Sequence, residues 1–397
     1  MSGGGNSNKP WIAALLAGSV LIVLAMLMQQ ALLRASWLHV GLLGVGGLLV
    51  VFAACELMIK AVDGIGRRLQ MNTYVAGTMA GLASNIPEVV MLAFVLAATP
   101  RIGFLVTVVT VHVSAAVFGI YSALLPRDEH GAAAMPRPLV MLSTDLYACA
   151  GAAFFATGAI MLLMYVFDAG THAGDALGAM DLYVLGGALL MVQVVAVARL
   201  VKRFSGSHAS ASTAESAAAA ADASAAAENA PSAMAIAGFG LLGIAASVFG
   251  GHAVGGFADS LVAGLDHAGY PKMVGALVLS VFASAGALVM MASAHLKGMY
   301  DVALANASGQ VTQVPFLVMP FALILLAVFG QIGIIPLTAT GAILPIDLDT
   351  VSVLFLGFPS MLILWKAVQD DGTVNWLETA TMIAIFGLAI YFLAVHG

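Results

Sequence analysis

The sequence predicts an all-α polytopic membrane protein of about eleven transmembrane helices: one N-terminal helix followed by two inverted five-helix repeats. Three observations carry this. Hydrophobic residues make up 61% of the 397 positions and charged residues only 9%, with a mean hydropathy of +1.03. A soluble domain carries roughly 25% charged residues, so this chain cannot clothe a water-facing surface. The apolar residues come in blocks of about 20 or more, long enough to cross some 30 Å of hydrocarbon. Finally, the basic residues gather in every second loop between those blocks, on one side of the predicted membrane.

Taken in order, the blocks predict helices near 11–33, 36–63, 72–98, 102–125, 138–166 and 176–200, then near 234–263, 271–296, 300–329, 345–367 and 375–396. The first block, after Lys9, is longer than a signal-peptide core and no A-x-A site follows it, so it reads as a retained helix. The stretch 331–344 is apolar but short and broken by Pro336 and Gly341, and reads as an interfacial or re-entrant loop. Ser205 to Ser232 is rich in Ala and Ser and carries Glu215, Asp222 and Glu228; nothing in it could form a core, so it is a linker. The predicted organisation is a tail and extra helix over 1–35, a first repeat over 36–203, a cytoplasmic linker over 204–233 and a second repeat over 234–397. Five helices per half is an odd number, which turns the second copy upside down relative to the first, a known transporter plan.

With this count, Lys9, Lys60, Arg67, Arg68, Arg127, Arg137, Arg199, Lys202, Arg203, Lys297 and Lys366 fall on the side of the N-terminus, and only Arg34, Arg101 and Lys272 on the other. Positive residues mark the cytoplasmic side, so the N-terminus and linker are expected inside and the C-terminus outside. The short linker points to a bacterial inner membrane. A net charge of −6 without a basic patch argues against nucleic acid as a partner. Cys55 and Cys149 lie in apolar blocks without a CxxC partner and read as packing residues, as do the 21 scattered Met residues. There is no HExxH pair and no Ser/His/Asp arrangement with a supporting context, so the chain does not read as an enzyme, and no bound cofactor is expected. Lipid, transported cations and protons are the expected partners; the oligomeric state is not legible.

The sharpest local signal runs from Thr78 to Glu88 and ends Ser84-Asn85-Ile86-Pro87-Glu88, in the middle of a predicted span. A carboxylate at mid-bilayer costs at least about 2.5 kcal/mol and by default marks an ion or proton path. Pro87 removes a backbone donor, while Gly77 and Gly81 permit close approach or unwinding. Carbonyls freed in this way, beside Glu88 and the Asn85 and Ser84 side chains, would make an oxygen-rich site for Ca²⁺ or Na⁺, with Glu88 and Asn85 as metal ligands. The bland alternative is a Glu paired with a polar neighbour to hold helices together.

Further candidates lie on later helices. Thr107 and Thr110 share one helix face and Asn306 and Gln310 another, with Gln313 a turn beyond. Each could ligate a cation through its side-chain oxygen, or simply bond between helices at about 0.6 kcal/mol. His112 titrates near neutrality and could relay protons, as could Glu56, although a lone membrane His is more often structural. Asp371, Asn375 and Glu378 read as a structural helix entry.

Several of these strings resemble one family. Glu56-Leu57-Met58, Asp63 and Arg67-Arg68-Leu69-Gln70 lead into the Ser-Asn-Ile-Pro-Glu run as in the first alpha-repeat of the calcium/cation antiporter superfamily. Lys297-Gly298-Met299-Tyr300-Asp301-Val302-Ala303-Leu304-Ala305 is similar to the Lys-x-x-x-Asp-x-Ala-Leu-Gly segment of its cation/proton branch. Gly309-Gln310-Val311-Thr312-Gln313 resembles Gly-Ser-Ser-x-Gln, and Asp371-Gly372-Thr373-Val374-Asn375-Trp376-Leu377-Glu378 resembles Asp-Gly-x-x-Asn-Trp-Leu-Glu. The resemblance spans about residues 50–397. It implies Ca²⁺ export in exchange for H⁺ by alternating access around a midplane glutamate, Glu88, which holds either the cation or a proton and never both. Such coupling requires a carboxyl that exchanges its proton near physiological pH.

One departure matters. By the family's spacing the second-repeat glutamate falls on Ala287, in Ala283-Ser284-Ala285-Gly286-Ala287. With one central carboxylate, a dehydrated divalent ion keeps net positive charge in hydrocarbon. A Na⁺/H⁺ or K⁺/H⁺ antiporter on the same fold is therefore the close alternative. A membrane sensor or assembly subunit that kept the fold and lost transport is the alternative of another class.

Overall fold

The computed structural model describes residues 10–30, 37–69, 73–167, 176–205, 231–296, 298–337, 342–369 and 372–396. Within them the helices are α1 (Pro10–Gln30), α2 (Trp37–Arg68), α3 (Thr73–Ala98), α4 (Pro100–Ser122), α5 (Arg137–Phe167), α6 (Ala179–Ser205), α7 (Ala233–His267), α8 (Lys272–Leu296), α9 (Tyr300–Gln313), α10 (Met319–Gln331), α11 (Leu348–Gln369) and α12 (Trp376–His396). Ten spans among the described residues, one of which runs from α9 through α10, are long and apolar enough to cross a membrane. α8 is an eleventh helix, whose apolar stretch is Lys272–Leu288. This is an integral membrane protein. Most of the predicted linker, 206–230, lies outside the described residues, as do the predicted tail 1–9 and Asp371.

Three features differ from the sequence expectation. The segment 300–329 is not one regular helix: a π-helical turn, Val314–Val318, separates α9 from α10. Pro315 has no N–H and its ring crowds the preceding turn, and an i→i+5 turn, with Met319 N–H on the Val314 carbonyl, accommodates it. Around Pro87, by contrast, α3 does not unwind but runs on unbroken. The carbonyl of Gly81 is taken by the Ser84 hydroxyl at 2.7 Å and the Asn85 amide at 3.3 Å, so side chains supply local hydrogen bonds there. Third, four two-residue strands occur where none was expected, β1 (Ala133–Ala134) and β4 (Thr373–Val374) in predicted loops, β2 (Ala176–Leu177) and β3 (Leu344–Pro345) at the starts of predicted helices.

The chain divides into two compact units, each drawing on both halves of the sequence. The first comprises Met1–Phe94 and Arg199–Phe257. Its helices meet through glycines, as expected where lipid offers no hydrophobic drive and close backbone approach supplies the packing. A Cβ at Gly18 of α1 would lie 2.7 Å from the Gly46 carbonyl of α2, and one at Gly47 would lie 2.7 Å from Val254 Cγ2 of α7. The Phe94 ring meets His252 edge-on at 5.6 Å. Arg68 Nε donates to the Pro231 carbonyl at 3.0 Å, tying the end of α2 to the start of α7.

The second unit comprises Val95–Ala198 and Ala258–Gly397. Its internal contacts exchange the two halves of the sequence. β1, after α4, pairs antiparallel with β4, before α12; β2, before α6, pairs with β3, before α11. α5 and α11 cross reciprocally, Gly158 against Phe355 and Gly357 against Phe154. Likewise Gly119 of α4 faces Met382 and Phe386 of α12, while Gly186 of α6 faces Pro320 and Ile324 near α10. Corresponding elements thus trade partners, as two repeats related by a twofold axis require.

Polar clamps hold the helix ends of this unit. Arg101 Nη2 lies 2.6 Å from both Asp347 and Asp349, joining the starts of α4 and α11. Arg127 donates to the carbonyls of Ser122, Gly131 and Val374 and to Thr379 Oγ1, and its guanidinium stacks 3.8 Å from the Trp376 ring. These partners are neutral, and burial pulls the Arg127 guanidinium down from its ordinary range. At the start of α12, Asn375 N–H donates to Glu378 Oε2 (2.9 Å) and Glu378 N–H to Asn375 Oδ1 (3.0 Å), a reciprocal capping box.

Candidate functional site

Each unit carries part of the candidate set. In the first, α3 presents Ser84, Asn85 and Glu88, at 6%, 1% and 7% exposure. Their i, i+1, i+4 spacing puts Ser84 and Glu88 one turn apart. Cys55 Sγ of α2 donates to the Ser84 carbonyl at 3.3 Å, so α2 is seated against this turn. Glu56, next in sequence, is half-buried. Among the described side chains Glu88 is the one buried acid. A carboxylate enclosed in a spanning helix is tolerated only if a cation, a proton or hydrogen-bond donors offset the lost hydration.

In the second unit α4, α8 and α9 enclose a cavity lined by Ser114, Ser284, Ala287, Asn306 and Gln310, with Val117, Leu288, Met291 and Ala307 completing the wall. It offers about 10 Å³ for the centre of an occupant, room for one water-sized guest. Asn306 Nδ2 donates to the Ala287 carbonyl at 2.9 Å, and Ser284 donates to the Ser280 carbonyl at 3.0 Å. Ser114 Oγ and Gln310 Oε1, both buried, have no protein partner. Buried polar atoms are nearly always satisfied, so two such oxygens on one cavity indicate a small polar guest. Among the described side chains no acid lines the cavity: the position of the absent second-repeat glutamate is the Ala287 methyl group.

The remaining candidates are committed elsewhere. Thr107 and Thr110 donate to the Gly103 and Val106 carbonyls of their own helix at 2.8 and 2.7 Å. The Val106 carbonyl also accepts the Ser280 hydroxyl, at 3.0 Å, so this stretch joins α4 to α8. His112 is gripped between α4 and α11, with Nε2 3.0 Å from the Val353 carbonyl and Nδ1 3.5 Å from Ser360 Oγ. Gln313 precedes the π turn and does not line the cavity. Among the described residues no three His, Cys, Asp or Glu side chains converge as a metal site would require.

Sequence reasoning placed Asn306 and Gln310 on one face and identified Ala287, and the structure gathers all three around the cavity. It passed over Ser114 and Ser284 as site residues. Ser284, Ala287, Leu288 and Met291 follow an i, i+3, i+4, i+7 pattern, a signal that was available but that an apolar helix face shares.

The sequence profile of the family described as sodium/calcium exchanger protein matches residues 234–395. No curated protein sequence matches the chain. Among solved structures, the H⁺/Ca²⁺ exchanger CAX superposes with a TM-score of 0.61 at 12% identity, over 97% of this chain and 91% of that one. Native YfkE gives 0.56 at 15% identity, over 97% and 99%. The sodium-calcium exchanger NCX_Mj, soaked with 100 mM Na⁺ and 10 mM Sr²⁺, gives 0.51 at 14% identity, over 88% and 98%. Residues 234–395 thus match the sodium/calcium exchanger family profile, and the chain as a whole shares the fold of CAX, YfkE and NCX_Mj.

Proposed function

We propose that the chain is a secondary-active cation:proton antiporter that exports Ca²⁺ in exchange for H⁺ by alternating access, with Glu88 as the coupling acid. The observation that carries this reading is Glu88 itself, the one buried acid among the described side chains, in a spanning helix of an exchanger fold. Ionised, it holds a cation; neutral, it holds a proton; and hydrocarbon penalises the state with neither. Ser84 and Asn85 supply neutral oxygens beside it, and Asn306 and Gln310 supply neutral oxygens to the second unit's own cavity. Ca²⁺ as cargo is supported by the fold shared with an H⁺/Ca²⁺ exchanger. Na⁺ or K⁺ as cargo is supported by Ala287 at the place of a second glutamate, because a single carboxylate neutralises a single positive charge. The bias of Lys and Arg supports a cytoplasmic N-terminus and linker in a bacterial inner membrane, with repeats over 36–203 and 234–397.

Proton flux in reconstituted vesicles, challenged with Ca²⁺, Na⁺ or K⁺, tests this for the wild type and Glu88→Gln. Exchange driven by one cation and lost in the variant names the cargo and assigns Glu88. If no cation moves protons in the wild type, antiport falls and a sensor or assembly subunit on a retained exchanger fold takes its place.

A further inference from the structure

Three hydroxyl groups meet inside the second unit, away from the cavity wall. Ser143 Oγ of α5 lies 2.6 Å from Ser308 Oγ of α9, and Tyr147 OH of α5 lies 2.7 Å from the same atom. Exposure is 0% at Tyr147, 1% at Ser308 and 7% at Ser143. Ser143 and Tyr147 stand one turn apart on α5, so both reach a single point on α9. The bonds need no charge: each is made by one hydroxyl proton, and either oxygen of a pair can donate it. A hydroxyl buried here and left unmatched would be destabilising, so the cluster favours one rotation of α9 about its axis.

That rotation bears on the cavity. Ser308 is two residues from Asn306 and two from Gln310, which puts it about 200° around the helix from each. When Ser308 faces Tyr147, Asn306 and Gln310 face the other way. There Asn306 reaches the Ala287 carbonyl and Gln310 lines the cavity. α9 is therefore pinned from opposite sides, at Ser308 by α5 and at Asn306 by α8.

We infer that Tyr147, acting through Ser308, is a positioning residue for cation exchange, holding Asn306 and Gln310 at the cavity. The inference rests on the antiport reading above. Tyr147 touches no cargo, so its removal should weaken cation capture rather than abolish turnover.

The test is cation-driven proton flux in vesicles for wild type, Tyr147→Phe, Ser308→Ala and Gln310→Ala, with Tyr147→Phe also combined with each of the other two. Tyr165→Phe, on a more exposed part of α5, serves as control, and thermal unfolding in detergent monitors the fold. Loss of one or two buried hydrogen bonds predicts a KM for the cation raised about threefold to tenfold in Tyr147→Phe. Its maximal rate should stay within about twofold of wild type, since the alternation itself is untouched. Ser308→Ala should match it, the two together should be no worse, and Ser308→Thr should restore most of the affinity. In the Gln310→Ala background Tyr147→Phe should add less than it does in wild type, because one of the two groups it holds is already removed. Should Tyr147→Phe fail to fold, Ser143→Ala probes the same cluster with a smaller shift in the same direction. A wild-type KM in these variants, or an effect fully additive with Gln310→Ala, overturns the inference while antiport stands. A wild type that exchanges no cation overturns both.

Discussion

α3 and α8 occupy corresponding places in the two halves of the chain and differ chemically at one turn. Both are unbroken helices rich in small residues, and both carry a serine whose hydroxyl bonds back to a carbonyl of its own helix, Ser84 to Gly81 and Ser284 to Ser280. At that turn α3 has Asn85, Pro87 and Glu88 where α8 has Ser284, Gly286 and Ala287. The packing requirement for small, self-satisfied residues is common to the two; the charge is confined to one. The fold is therefore built with an acid at one of the two turns and a methyl group at the other. The companions differ too: α4 is a regular helix throughout, whereas its counterpart is split into α9 and α10 by the π turn at Pro315.

The largest effect should come from making α3 resemble α8. Glu88→Gln keeps the shape and removes the charge, and cation-driven proton flux should fall by about 100-fold or more. Thermal stability in detergent should hold or rise, since a buried charge is gone. Flux near the wild-type level in that variant would break the comparison at its centre.

The reverse exchange, Ala287→Glu, sharpens it. A second carboxylate should raise the Ca²⁺-to-Na⁺ transport ratio by about tenfold, with some loss of folded yield because the cavity at Ala287 admits only a water-sized guest. A transport ratio that does not move would mean that charge count does not set the cargo.

If the scaffold is shared between the halves, its reciprocal contacts should respond alike. Gly158→Leu and Gly357→Leu each drive a side chain into the crossing of α5 and α11, where an added Cβ would already lie 3.1 Å from the Phe355 backbone or 2.7 Å from the Phe154 ring. Each should destabilise by about 1–3 kcal/mol, read by thermal unfolding. Gly187→Leu, with nothing within 4 Å of its Cβ position, should be close to neutral.

The smallest effect lies outside the spans. Asp128 accepts the N–H groups of Ala132 and His130, and these bonds, Ala132 first, hold its carboxyl below the usual range. A depressed folded value stabilises above the unfolded pKa of about 3.9, and that contribution fades as pH falls through the folded value. Asp128→Asn should speed amide exchange at His130 and Ala132 at neutral pH. The difference from wild type should shrink in acid, and a constant difference would mean the carboxylate charge is not what orders the loop.

The site was partly legible, and the reason differs by residue. Glu88 stood out because an acid inside an apolar run is costly whatever surrounds it. Asn306 and Gln310 stood out because their spacing shares a helix face, but nothing local tells which face meets a neighbour. His112 illustrates the limit: its titration range invites a relay, and only the Val353 carbonyl and Ser360 reveal a cross-link between α4 and α11. Ser308 and Tyr147, 161 positions apart in sequence, carry no signal at all until the helices are assembled.

By itself the sequence determined the class of solvent, the eleven helical segments, the split into two fivefold halves and the presence of one acid within the Ser-Asn-Ile-Pro-Glu turn. These follow from hydropathy, length and the sign of flanking charge, quantities that each segment carries alone. The tertiary structure decided the pairing of β1 with β4 and β2 with β3, the π turn, the cavity at Ala287 with its two unpaired oxygens, and the hydroxyl cluster behind α9. Those depend on how each helix is rotated about its axis and which distant helix it meets, and in a chain this uniformly apolar the hydrophobic pattern hardly distinguishes one face from another.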